Sequence, residues 1–170
     1  MVNSFLDELV EYPVRALYNI GTDKDVVSLL TDNPEIDMDS EEADDVFDKY
    51  LFDYLYVDGT TAEAEAYVCV ETEMTRSHTT TMQNMRLYVT VICHKKFMKV
   101  DTTKFKGMIG NRRDNLVRCV DKLLNGSDAF GIGQLLLESV RTIPSPNGFT
   151  ARELTYSVPE FSRGQDQNVL

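Results

Sequence analysis

Apolar residues recur every three to four positions in the first third of the chain and every second position later, so helices should precede strands. Phe5, Leu6, Leu9 and Val10 follow helical spacing, and Pro13, which has no amide hydrogen, is expected to limit or bend that helix. Val14, Leu17 and Tyr18 continue the apolar stripe, and Val26, Val27, Leu29 and Leu30 place a second helix over residues 24–31. Thr22, three residues before Asp25, is a capping signal for it, and Asn33-Pro34 ends it. Asp39 with Glu42 has the spacing of a capping box for a short helix over 41–50, and Asp58-Gly59 marks a turn.

From Ala64 the period changes to two. Ala66, Val68 and Val70 alternate with Tyr67, Cys69 and Glu71, then Leu87, Val89, Val91 and Cys93 alternate with Tyr88, Thr90, Ile92 and His94. Both runs are rich in β-branched residues and should pair antiparallel around a polar tip over 75–84, which is expected to be mobile. Asn111, with Asp114 three residues on, caps an amphipathic helix. Its apolar stripe is Leu116, Val117, Val120, Leu123 and Leu124, with Arg112, Arg113, Arg118 and Lys122 placed off that stripe. Gly126 stops this helix as a residue just past the C-cap. A third strand is expected over 133–143, a turn at Ser145-Pro146-Asn147-Gly148, and a fourth strand over 149–158 with Arg152, Leu154, Tyr156 and Val158 on one face. The order predicts an α+β fold: N-terminal helices followed by ββαββ, a mainly antiparallel four-stranded sheet with helices packed on one face. Residues 1–161 form a single domain in this reading, with a helical, acidic part over 1–62 and the ββαββ sheet part over 63–161. The polar stretch 162–170 has little to bury and is expected to be a flexible tail.

The net charge of −11 hides a strong asymmetry. Residues 1–75 hold 20 acids and 3 bases, a net of −17, whereas residues 76–170 have a net of +6. Segment 35–48 concentrates the acids, and Lys95, Lys96, Lys99, Lys104 and Lys106 form a basic loop. Opposite charges on separate parts of one chain suit contact between copies or with a charged partner; the alternative is an ordinary solvated surface. No apolar run nears the ~20 residues that a bilayer span requires, and the first residues have neither a basic nor an apolar signal region, so neither membrane contact nor a signal peptide is expected. Cys69, Cys93 and Cys119 lack metal or redox spacing, and two of them lie in apolar runs, which suggests buried, reduced thiols.

Candidate chemistry is sparse. The histidines, His78 and His94, lie in a polar loop and at a strand end, and adjacent Cys93 and His94 point to opposite faces of a strand, so they form no dyad. Asp37-x-Asp39-x-Glu41 resembles the start of a calcium loop, but Glu42 stands where a glycine is needed and Asp48 where a bidentate glutamate is. Asp58, Glu71 and Glu73 have the rough spacing of a metal-dependent nuclease core, yet Glu73 occupies the place of the lysine that would stabilise developing charge. Gly131-x-Gly133 is too short for a phosphate loop. The basic loop, with Phe97 and Phe105, could contact nucleic acid; the alternative, favoured by the acidity of the whole chain, makes both rings core anchors and turns the lysines toward an acidic surface on another subunit.

Several stretches carry a family resemblance. Phe52-Asp53-Tyr54-Leu55-Tyr56-Val57-Asp58-Gly59-Thr60-Thr61 leads to Ala66-Tyr67-Val68-Cys69-Val70-Glu71, and Met85-Arg86-Leu87-Tyr88-Val89-Thr90-Val91 follows. Lys104-Phe105-Lys106-Gly107, Gly110-Asn111-Arg112-Arg113-Asp114-Asn115-Leu116 and Phe149-Thr150-Ala151-Arg152-Glu153-Leu154 complete the set, so the likeness runs over residues 5–161. The pattern resembles small proteins of the head–tail gene block of Firmicutes tailed phages, most like tail-terminator (tail-completion) proteins. Phage-like contractile bacteriocins use similar parts.

That resemblance implies a structural virion protein at the head–tail junction, assembled in the host bacterial cytoplasm, with no catalytic residue, no cofactor and no metal. Its partners would be further copies of itself in a hexameric ring, the tail tube protein and a neck or stopper protein, with the tail sheath a further candidate and passing DNA touched only indirectly. A stopper or adaptor of the neck is the alternative. On physical grounds the expected assembly contacts are Asp37, Asp39, Glu41 and Glu42 on the acidic side and Lys95, Lys96, Lys99, Lys104, Lys106 and Arg152 on the basic side. Strand 149–158 or the 75–84 tip could offer an exposed edge or reach to a neighbour.

Overall fold

The computed structural model describes residues 7–55, 66–75, 82–130, 133–145 and 148–161. Helices α1 (Asp7–Gly21), α2 (Lys24–Thr31), α3 (Glu41–Asp44) and α4 (Val46–Lys49) come first, then a short strand β1 (Leu51–Phe52). Strands β2 (Ala66–Thr75) and β3 (Met82–His94), a 3-10 turn at Lys95–Phe97, helix α5 (Arg112–Leu124) and strands β4 (Leu136–Ile143) and β5 (Phe149–Phe161) follow. The fold is α+β, as expected, with one strand more than the sequence pattern discloses. The sheet runs β1-β2-β3-β5-β4, antiparallel except where β1 pairs parallel with β2. Two residues are too few to show a period, which is why β1 escapes sequence reading.

One sheet face carries the helices. Ala66, Val68 and Val70 of β2, Leu87, Val89, Val91 and Cys93 of β3, and Leu154, Tyr156 and Val158 of β5 join Ile20, Leu29, Leu30, Leu116, Val120 and Leu124 in one core. The reverse face is less polar than a half-buried strand implies: Tyr67, Cys69, Ile92, Phe149 and Ala151 form a second, smaller apolar cluster. Burying a Val or Leu stabilises by roughly 1.5–3 kcal/mol each, so the main cluster dominates the folding energy.

Pro13 neither ends nor breaks α1, which runs on to Gly21. Lacking an amide hydrogen, Pro13 leaves the Leu9 carbonyl without its helical donor. The Thr72 hydroxyl of β2 donates to that oxygen at 2.8 Å and fixes α1 against the sheet. At the far end of α1, a Cβ on Gly21 would lie 2.5 Å from the Phe47 ring, so glycine here lets α4 close on α1.

Four capping and boundary expectations are corrected. Asp23, not Thr22, caps α2 by accepting from the Val26 amide at 3.0 Å, while Thr22 donates to the Tyr18 carbonyl. Ser40, not Asp39, caps α3, because a hydroxyl one residue later aligns with the Ala43 amide. The helix expected over 41–50 is two short ones meeting at Asp45, and the third predicted strand starts at Leu136 rather than residue 133. Asn111 caps α5 as expected, accepting from the Asp114 amide at 2.9 Å, and Gly126 follows the C-cap with φ +81°.

Strand β5 is not an exposed edge. It lies between β3 and β4, because the β4–β5 hairpin inserts β5 beside β3; the outer strands are the two-residue β1 and β4, whose residues are mostly exposed. The 76–81 tip, the 162–170 tail, His78, Asp58 and the Pro146-Asn147 turn residues lie outside the described residues.

Candidate assembly surface

The basic loop is built on buried rings. Phe105 is 4% exposed and Val100 5%, and Phe97 packs partly buried against the main core, so the two aromatics are anchors. With alternate residues drawn inward, Lys95, Lys96, Lys99, Lys104 and Lys106 are left exposed. Of these, Lys104 alone has an ion-pair partner among the described residues, Asp32 at 3.6 Å.

The acidic segment follows the same plan. Ile36, Ala43 and Val46 are buried, while Asp37, Asp39, Glu41 and Glu42 are exposed. Asp37 accepts from the Asp39 amide at 3.1 Å and Glu42 from the Asn33 side chain at 3.3 Å. None of the four has a cation partner among the described residues. The structure therefore leaves the four acids and the five lysines facing outward, and Asp32, which pairs with Lys104 and Arg112, ties the basic loop to the end of α2.

Asp32 exposes what sequence reading missed. Arg112, expected off the helix stripe, is 2% exposed. Its Nε donates to the Phe97 carbonyl at 2.9 Å, one terminal nitrogen to the Leu29 carbonyl at 2.5 Å, and the other to Asp32. The guanidinium lies over the Phe97 ring, 3.9 Å from its centroid. Leu29 sits in the last turn of α2, where the helix dipole is negative, and Asp32 caps that helix in the left-handed region at φ 58°. Arg112 thus ties α2, the basic loop and α5 together. Its phase could have revealed it, since residues 112, 116, 119 and 120 share one helical face.

Arg152 also differs from the exposed lysines. Its Nε is 2.7 Å from Asp114 Oδ1, an ion pair lacking the alignment of a hydrogen bond. Arg113 pairs with the same oxygen at 3.1 Å, and the Asn111 amide donates to the other at 2.8 Å. Burial is the largest influence on the Asp114 carboxyl and pushes its pKa up, but the Asn111 hydrogen bond and the two arginines together outweigh it and hold the carboxyl below its ordinary value.

Among the described residues the candidate chemical groups are not brought together. Burial pushes the Cys93 thiol up to about 11, so it is no thiolate at neutral pH, and His94 Nδ1 accepts from the Lys96 amide at 3.1 Å. Cys69, Cys93 and Cys119 are buried. Glu73 accepts from the Tyr88 hydroxyl at 2.6 Å, which holds the phenol in its neutral form and raises its pKa. Among the described residues no group of three His, Cys, Asp or Glu side chains could hold a metal ion, and no helix is long and apolar enough to cross a membrane.

The fold and its surface thus define a small α+β domain with outward-facing charge sets of both signs on buried anchors. Residues 23–158 match the family YomW, so the chain belongs to that phage-associated family. Among solved structures the chain is similar to one from "Virion of native gene transfer agent (GTA) particle", with 11% identity, coverage of 86% of this chain and 91% of that one, and a TM-score of 0.48; the likeness is one of chain trace only. No curated protein matches the chain.

Proposed function

We propose that this chain is a structural virion protein, a tail terminator whose copies close into a hexameric ring that caps the tail tube and joins the tail to the neck. It performs no catalysis and requires no cofactor or metal. One observation carries the reading beyond family membership: acidic and basic side chains of the same chain stand exposed beside buried neighbours, with few ion-pair partners among the described residues. Different patches of one subunit that attract each other favour head-to-tail contacts, which close into a ring when the rotation permits. The tail tube and a neck or stopper protein are its partners above and below, and the sheath joins them if the tail contracts.

A stopper or adaptor is the second reading, favoured by the exposed Lys95, Lys96, Lys99 and Lys106, which have no carboxylate partner among the described residues and suit contact with DNA phosphates. Imaging intact particles at the neck, with this chain tagged, tests both. The terminator reading expects a ring seated on the head-proximal end of the tail tube, and deletion of the gene should give tubes without a capped end. Density at the portal instead would favour the stopper, and absence from the particle would sink both.

A further inference from the structure

We infer that Ile109 of one copy seats on an apolar stripe of a second copy formed by Val10, Val14 and Tyr18 of α1 with Phe47 of α4; the inference rests on the ring reading and names its contact. The three α1 residues stand four positions apart on one helix face and are 70%, 55% and 63% exposed. The Tyr18 and Phe47 rings stack with centroids 6.4 Å apart, which carries the stripe from α1 onto α4. Isolated exposed apolar residues need no explanation, but a continuous row across two elements marks a contact surface. Its continuation is acidic: Glu41, Asp44 and Asp48 of α3 and α4 are exposed beside Phe47 in sequence.

The occupant is indicated by the opposite pattern elsewhere on the chain. Ile109 is 84% exposed, the highest exposure among the large hydrophobics described. It is held out rather than dangling. Gly107 and Gly110 flank it at φ +83° and +88°, and the buried Asn115 amide donates to the Ile109 carbonyl at 3.0 Å. Around this knob in sequence lie Lys99, Lys104 and Lys106, all exposed. An apolar stripe continued by carboxylates and an apolar knob accompanied by ammonium groups are complementary in both terms. Apolar centres with charged rims are the usual anatomy of such contacts, and the rim charges set orientation. Because the two patches differ, the contact is head-to-tail.

The test uses the full purified chain with p-benzoylphenylalanine in place of Tyr18, as an equal mixture of light and ¹⁵N-labelled protein, illuminated and mapped by mass spectrometry. Cross-links between isotopically different copies should join position 18 to the peptide containing Ile109. Ile109→Asp should reduce their yield at least about tenfold, Ile109→Val should retain them, and neither should move the thermal midpoint, since the side chain is almost wholly exposed. Links confined to one copy, links to any other segment, or no link between copies would each overturn the inference. A ring at the neck without this cross-link leaves the terminator reading standing and removes only the contact; the cross-link in a chain absent from the neck does the reverse.

Discussion

Arg112 and the lysines at 95, 96, 99 and 106 belong to the same stretch of chain, yet their surroundings are opposite. The guanidinium is enclosed by the Phe97 ring, two backbone carbonyls and Asp32, whereas the ammonium groups stand in water with no ion-pair partner among the described residues. A buried cation costs several kcal/mol in lost hydration and persists only when its donors are satisfied. An exposed lysine costs nothing of the kind and contributes little to folding. Arg112 therefore serves the fold, and the lysines remain available to something outside it. Arg152, paired with Asp114, stands nearer to Arg112 than to the lysines with which sequence reading grouped it.

Removing Arg112 should give the largest effect. Arg112→Met keeps apolar bulk over Phe97 but leaves the Leu29 and Phe97 carbonyls without their donor, and should cost about 3–5 kcal/mol in urea unfolding. A loss below about 1 kcal/mol would erase the distinction between the two kinds of cation. Asp32→Asn is milder, because the carboxylate is partly exposed and asparagine tolerates the left-handed backbone found there. It should cost about 1–2 kcal/mol by the same measurement, with the loss nearly absent in the Arg112→Met background.

Asp114 offers a smaller, pH-dependent test. Its folded pKa lies below the ordinary 3.8 despite burial, through Asn111, Arg113 and Arg152. A depressed carboxyl stabilises the fold above its unfolded pKa, and that contribution is lost as pH falls through the folded value. Stability should therefore decline below about pH 4 more steeply in the native chain than in Asp114→Asn, by at most about 1 kcal/mol once solvent screening is allowed for. Parallel acid melts of the two proteins would show the difference in slope, and equal slopes would remove Asp114 from the seam.

Where the pattern repeats over several residues, the sequence was legible. Alternation disclosed β2 and β3, α5 with its Asn111 cap appeared at its place, and the exposure of the charged loop and acidic segment could be expected from their buried neighbours. What stayed hidden depends on tertiary partners. Pro13 reads as a limit or bend of the helix, yet α1 runs on through it, and the Thr72 hydroxyl that satisfies Leu9 is 63 residues away. Arg112 looked solvent-facing because its residue type outweighed its helical phase. Val14 and Tyr18 continue an apolar stripe in the sequence, but spacing alone does not say which stripe of α1 is buried, and Tyr12, Ala16, Leu17 and Ile20 take that place. Strand β5 looked like an edge because hairpin order does not specify which strand pairs with β3.

The smallest effect on folding should accompany the largest on assembly. Reversing Lys95, Lys96 and Lys99 to Glu changes side chains that contact no carboxylate among the described residues, so the unfolding free energy should stay within about 0.5 kcal/mol. In particles the same variant places added negative charge where an acidic neighbour is proposed, and tail assembly should fail. Added salt separates the causes: exposed pairs are screened beyond a Debye length of about 8 Å at physiological ionic strength, so native contacts should weaken as salt rises. Should the reversed variant fold and assemble normally, these lysines are merely solvated, and cation burial in this stretch would record folding alone.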